Sequence, residues 1–224
     1  MRTALITGGT GGLGVAVVEA FIAAGWRVVV PWAVQAELER LPEREGLELV
    51  PADLTDPDEV ARAVRAATAE PDAPLGAVVN LVGGFAAGER VADAPWQDFE
   101  RLLMLNLKPT YEVVHAALPA LAAAGGGAVV CVSARAATHP FAGAAGYCAS
   151  KAAVLTFAQV VALEGSEDGI RCNAILPRKI DTRANRAANP DDPDVGTAPA
   201  DVARTILFLC GDESRAVTGA TIPV

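Results

Sequence analysis

The chain has 224 residues, a formal charge of −9 and 52% apolar residues. That length and apolar content suit one α/β domain with a sizeable core and argue against disorder. An acidic chain without a basic run is a poor partner for nucleic acid or an anionic membrane, so neither is expected. Cys131, Cys148, Cys172 and Cys210 are scattered, with no CxxC and no His at ligand spacing. They read as buried thiols of a reducing cytoplasm, with no metal site. No signal-peptide pattern opens the chain. No apolar run reaches the roughly 18 residues of a membrane span. A cytoplasmic protein is expected.

Thr3–Ile6 is a short apolar run that predicts a buried strand. Thr7-Gly8-Gly9-Thr10-Gly11-Gly12-Leu13-Gly14 follows, and then a helix over about Leu13–Ala24 with Gly25 at its C-terminal cap. A second strand is expected at Arg27–Val30. Strand, glycine turn, helix and strand make the βαβ unit that binds dinucleotides. The glycines let the backbone approach a pyrophosphate, and the helix N-terminus offers free N–H groups. The spacing G-x-x-x-G-x-G after Thr7 resembles the TGxxxGxG loop of the short-chain dehydrogenase/reductase family. The resemblance implies that Gly8, Thr10, Gly11, Gly12, Leu13 and Gly14 seat NAD or NADP.

After the second strand a dinucleotide unit carries an acid for the ribose 2′-hydroxyl of NAD, or an Arg for the 2′-phosphate of NADP. Here Pro31-Trp32-Ala33-Val34 carries neither. Trp32 either packs on the adenosine half of the cofactor or covers the sheet end. Glu37 and Arg40 lie on a short helix and read as solvated. The choice between NAD and NADP stays open. Leu47–Val50 predicts a third strand, followed by Asp53 and Leu54, which the resemblance places beside the adenine. Asp56 reads as the N-cap of a helix from Pro57 to about Ala69.

Ala77–Val79 predicts a fourth strand, ending in Asn80-Leu81-Val82-Gly83-Gly84. The family shows NNAG here, so Asn80 and Gly83 match; Val82 is also assigned to the cofactor site. Phe85–Pro95 is expected to be a loop bordering the pocket. One long helix is predicted from Gln97 to about Ala123. Within it Asn106 matches a family residue that bends the helix and holds a water linked to the catalytic Lys. His115 reads as structural.

Ala128–Val132 predicts a fifth strand that delivers Ser133 to the cofactor crevice, because ligands sit outside the C-terminal strand ends. Tyr147 comes 14 residues later and opens a helix over about Gly146–Glu164. Tyr147 and Lys151 are four apart, so they share one helix face. An ammonium beside a phenol favours the phenolate. Ser133, Tyr147 and Lys151 match the family's catalytic triad, and Asn106 completes a tetrad. The resemblance covers nearly the whole chain, is of the classical type and is similar in a general way to 3-oxoacyl carrier-protein reductases. It implies an α/β, Rossmann-type, doubly wound sheet of seven parallel strands with helices on both faces, in one domain spanning residues 1–224. It also implies that Tyr147 moves the proton and, like Lys151, contacts the cofactor, that Lys151 lowers the Tyr147 pKa and bonds the nicotinamide ribose, and that Ser133 bonds the substrate oxygen. Cys148 reads as packing. Arg135 reads as a surface residue and His139 as pocket wall or surface.

Ile170–Ile175 predicts a sixth strand, ending in Pro177-Arg178-Lys179-Ile180-Asp181-Thr182. The family pattern is P-G-x-I-x-T, so Pro177, Ile180 and Thr182 match as cofactor contacts. Arg178 replaces the usual Gly; Arg178 or Lys179 is a candidate contact for cofactor phosphate or an acidic substrate. Arg183–Thr197 corresponds to the family's substrate lid and is short. Ala200–Cys210 predicts a last helix and Thr218–Val224 a seventh strand, which in the family continues into Asp-Gly-Gly.

The function expected is NAD(P)-dependent interconversion of a carbonyl and a hydroxyl on a small organic substrate. A non-catalytic NAD(P)-binding sensor or scaffold is the alternative, and an isomerase or dehydratase using transient oxidation is a third. The resemblance also implies a homodimer or homotetramer built on the helices carrying Asn106 and Lys151.

Overall fold

In the computed structural model, which describes residues 1–188 and 190–224, seven parallel strands form one sheet. They are β1 (Thr3–Thr7), β2 (Arg27–Trp32), β3 (Leu47–Pro51), β4 (Leu75–Asn80), β5 (Gly127–Val132), β6 (Ile170–Leu176) and β7 (Thr221–Pro223). Their order is β3-β2-β1-β4-β5-β6-β7. The order reverses between β1 and β4, and such a switch point opens a crevice outside the strand ends. The central strands are apolar on both sides: every residue of β1 and of β4 is buried. A strand covered on both faces needs such a continuous run.

Helices α1 (Gly14–Ala23), α2 (Pro57–Ala67), α3 (Trp96–Asn106), α4 (Lys108–Ala123), α5 (Ala145–Glu164), α6 (Arg183–Ala188) and α7 (Pro199–Cys210) complete the fold. Phe21 of α1 and Ile206 of α7 pack on Ile6 and Val28 on one face of the sheet. Val64 of α2, Val114 of α4 and Val154 of α5 pack on Leu5 and Val78 on the other. The expected doubly wound α/β architecture is what the chain adopts.

Several boundaries differ from the sequence expectation. The second strand runs on through Pro31 to Trp32, because that segment pairs with Val50 and Pro51 of β3. The fourth begins at Leu75 and the seventh is shorter than expected. The single helix expected over Gln97–Ala123 is two, separated at Leu107. Pro109 in the first turn of α4 has no N–H to continue the α3 ladder, which explains the break. The absence of any span-length apolar segment also needs correction. The 20 residues of α5 are long and apolar enough to cross a membrane by length and composition. Its apolar positions serve another purpose: Val154, Ala158 and Val161 are buried against β5 and β6. Asp56 caps α2 as expected, accepting from the N–H groups of Asp58 and Glu59.

Candidate active site

The glycine loop joins β1 to α1 at the switch point. Gly8 has a φ of +66°, a conformation that favours glycine, and its Cα faces the backbone of Leu81 and Val82 after β4. A Cβ on Gly14 would overlap the Gly8 carbonyl. The first turn of α1 therefore lies directly on the loop. Thr7 Oγ1 accepts from the Leu81 N–H at 3.2 Å, tying the ends of β1 and β4 together. Gly11 is half-buried and Gly12 exposed, and a Cβ on Gly12 would come within 3.0 Å of the Thr182 side chain. Leu13 stands at the N-cap of α1. The loop and the segment after β6 thus close on one space from opposite sides, with the α1 N-terminus aimed at it. That is a fit for a pyrophosphate.

Other predicted cofactor residues surround the same strand ends. Asp53 lies exposed after β3 and accepts from the N–H and hydroxyl of Thr55, each at 2.8 Å; these bonds hold its carboxyl below the usual range. Leu54 beside it is buried. Asn80 is buried at the end of β4, and its Oδ1 has no hydrogen-bond partner among the described residues. Val82 packs against the core and Gly83 is exposed. Trp32 is half-buried at the end of β2. Pro177 is buried, and its carbonyl accepts from Arg135 N. Ile180 bridges to Thr197.

Ser133, Lys151 and Asn106 come together where the chain leaves β4 and β5 and meets α5, and Tyr147 stands one helical turn before Lys151 on α5. Lys151 is buried, and its Nζ donates to the Val132 carbonyl at 3.0 Å. Ser133 Oγ donates to the Lys151 carbonyl at 2.7 Å. A Cβ on Gly83 would lie 2.7 Å from Asn106 Oδ1 and 2.9 Å from Lys151 Nζ, so both groups border the same small space. Asn106 ends α3, at the bend the resemblance implied. Its Oδ1 accepts from Gly84 N, and its Nδ2 donates to Gly84 O and to Ser150 Oγ at 2.9 Å. Ser150 in turn donates to the Tyr147 carbonyl. Ser150 was not singled out by the sequence, although its i+3 relation to Tyr147 is the pattern of such a bond.

The expectation that Lys151 lowers the pKa of Tyr147 is not met in the chain by itself. Burial pushes the Tyr147 phenol up to about 12, and a smaller contribution comes from Cys148. Burial likewise pushes Lys151 down to about 8. Desolvation is the leading cause at both groups. Phe85 packs edge-on against Tyr147 with ring centroids 4.9 Å apart, and Phe141 lies 6.5 Å from Phe85. Cys148 is buried in a cluster with Ala134, Ala136 and Ala144, consistent with a packing role. Next to this aromatic group lies a cavity of about 570 Å³ lined by Ala86, Val91, Trp96, Phe99 and Gly143–Gly146.

Two readings of charged groups change. Glu37 and Arg40 are not merely solvated, for both bond to Thr10 in the glycine loop. Arg178 pairs with Asp194, and Lys179 with Asp192 at 2.8 Å. These cations thus hold the segment after β6 rather than standing free for a phosphate. His139 and Arg135 are exposed, and His139 Nδ1 pairs with the Thr138 hydroxyl. His115 stacks on Tyr111. The lid segment holds the short α6; its residue Asn189 lies outside the described residues.

Residues 2–193 match the family profile described as short chain dehydrogenase. The 2-(R)-hydroxypropyl-CoM dehydrogenase of Xanthobacter autotrophicus is 30% identical, over 99% of this chain and 96% of the relative. L-xylulose reductase of Bos taurus is 32% identical, over 100% of this chain and 94% of the relative. A short-chain type dehydrogenase/reductase from Mycobacterium ulcerans superposes with a TM-score of 0.92 at 29% identity, covering all of this chain and 88% of its own. The chain belongs to the short-chain dehydrogenase/reductase family, in its classical form. It is an NAD(P)-dependent oxidoreductase acting on small molecules.

Proposed function

We propose that this protein interconverts a carbonyl and a hydroxyl on a small organic substrate, with Tyr147 as general acid/base. The observation that carries the reading is the buried Lys151, held by the Val132 carbonyl beside Asn106 and one helical turn from Tyr147. The dinucleotide, when bound, supplies or accepts the hydride. In reduction Tyr147 donates its proton to the carbonyl oxygen; in oxidation it takes the hydroxyl proton. The neutral phenol that burial favours is the form needed to donate. Ser133 serves the substrate oxygen once its hydroxyl turns from the Lys151 carbonyl. Asn106 keeps the α3 end and Ser150 in place, and through Ser150 the first turn of α5. Gly8, Thr10, Gly11, Gly12, Leu13 and Gly14 seat the pyrophosphate, with Thr182, Ile180 and Pro177 facing them. Asp53, Leu54 and Trp32 border the adenosine end. Asn80, Val82 and Gly83 border the nicotinamide end.

Phe85 and Phe141 form an apolar wall at Tyr147, which suits a substrate with an apolar flank next to the reacting carbon. One domain carries both sites. Exposed Met104, Tyr111, Val160 and Leu163 on α3, α4 and α5 support a homodimer or homotetramer built on these helices. Four buried free thiols support a reducing, cytoplasmic setting.

The test is a cofactor titration followed by a carbonyl screen with NADH and NADPH. Turnover of at least one carbonyl, lost in Tyr147→Phe while cofactor binding persists, is the expected result. A Tyr147→Phe enzyme at full rate would sink the assigned role. Dinucleotide binding without turnover of any carbonyl would favour a sensor instead. A monomer by light scattering would remove the oligomer.

A further inference from the structure

The end of β2 leaves the cofactor's adenosine ribose without its usual selector. Trp32 closes the strand, and Ala33 and Val34 follow it. Within the loop, Gly9, Thr10 and Gly11 supply no charge. A carboxylate nevertheless reaches the loop, from the 3₁₀ helix Gln35–Arg40. Glu37 Oε2 accepts the Thr10 hydroxyl at 2.7 Å. Arg40 Nη1 donates to the Thr10 carbonyl and to Glu37 Oε1, each at 3.1 Å.

These three residues settle which charge dominates. Thr10 is buried in the cofactor loop, so its partner is fixed at the loop rather than free on the surface. Glu37 is half-buried while Arg40 is exposed. Each Glu37 oxygen accepts one bond here and has capacity for a second. Arg40 has its contacting nitrogen committed to a carbonyl and to Glu37, which opposes its charge. A ribose hydroxyl can donate to such a carboxylate; a 2′-phosphate is repelled by it.

We propose that Glu37 is the specificity-determining residue for the cofactor. It replaces the acid missing from the end of β2, bonds the adenosine ribose hydroxyl and disfavours a 2′-phosphate, so that the protein prefers NAD to NADP. This rests on the reading that the glycine loop seats a dinucleotide.

The experiment is direct fluorescence titration of NADH and NADPH, separately, into the wild type, Glu37→Gln and Arg40→Gln. Gln keeps the shape of Glu, and the 3₁₀ helix contributes no buried side chain, so folding is preserved. The wild type is expected to bind NADH at least about tenfold tighter than NADPH, the scale of one charge-assisted hydrogen bond. Glu37→Gln should weaken NADH and strengthen NADPH, closing most of that ratio. Arg40→Gln should keep the preference for NADH. A wild type that favours NADPH, or a ratio unchanged in Glu37→Gln, overturns the proposal. So does an Arg40→Gln protein that loses NADPH selectively, since that would assign the ribose to Arg40. A wild type that binds neither nucleotide overturns the dinucleotide reading itself, which no change of ratio would do.

Discussion

The two ends of the crevice are held by different physics. At the nucleotide end the backbone itself is packed: α1 lies on the Gly8 carbonyl, and the loop meets the chain after β4 with no room for a side chain at Gly8 or Gly14. At the substrate end the chain after β6 is held by exposed ion pairs: Arg178–Asp194, Lys179–Asp192 and Arg186–Asp181. Close backbone packing tolerates almost no substitution, whereas exposed ion pairs contribute little and are easily replaced. The difference teaches why the cofactor cradle has a recognisable sequence and the substrate side has none. The proposed catalytic group sits between the two, with Lys151 bonded to the Val132 carbonyl and Asn106 to the Gly84 backbone.

The largest effect should come from the group in between. Tyr147→Phe is expected to lower kcat by about 10² to 10⁴, the usual worth of a positioned general acid. Cofactor affinity should change little, because the nucleotide end is untouched. Single-turnover hydride transfer and equilibrium titration measure the two separately.

Next in size is the pH dependence of stability. Burial lowers Lys151 from 10.5 to about 8, so between about pH 8 and 10.5 the unfolded chain holds a proton that the folded chain has released. The Lys151 contribution to stability then rises with pH across that window, by on the order of 3 kcal/mol if fully expressed. Tyr147 acts in the opposite sense. Its folded pKa of about 12 lies above the ordinary 10, so its contribution is lost as pH climbs from about 10 to 12. Burial also raises the Cys210 and Cys172 thiols above their ordinary 9, which lowers stability above about pH 9, so urea unfolding should show the rise between about pH 8 and 9, and Lys151→Met should flatten it. A rise of the same slope in Lys151→Met would assign it to other groups.

The rigid end can be tested directly. Gly14→Ala forces α1 off the Gly8 carbonyl and should cost about 1–3 kcal/mol, read as a fall in Tm. An equal Tm would mean that the loop is looser than its packing indicates. The smallest change is expected at the other end. Arg178→Ala should alter stability by at most about 1 kcal/mol, with KM for the carbonyl substrate moving more than Tm. A stability loss as large as that of Gly14→Ala would erase the contrast between the two ends.

The legible parts of the sequence were those fixed by local rules. Thr7–Gly14 was readable because only glycines permit that turn, and Tyr147–Lys151 because helix periodicity places them on one face. Asp56 announced a helix by its cap. The break at Leu107 was only half visible: Asn106 suggested a bend, but Pro109 at the first turn ended the helix outright. Glu37 reads as solvated in the sequence because nothing local links it to Thr10; the contact forms only when the 3₁₀ helix after β2 folds against the loop.

Neighbours in the chain thus fixed most strands and helices, the glycine turn and the one-face spacing of Tyr147 and Lys151, because periodicity, capping and backbone freedom are local properties. Only the tertiary structure decided which charges meet. Glu37 joined the glycine loop, Arg178 paired with Asp194 and Lys179 with Asp192, and burial set the pKa of Tyr147 and Lys151. Those outcomes depend on distance and solvent exposure between segments far apart in sequence, quantities that exist only after folding.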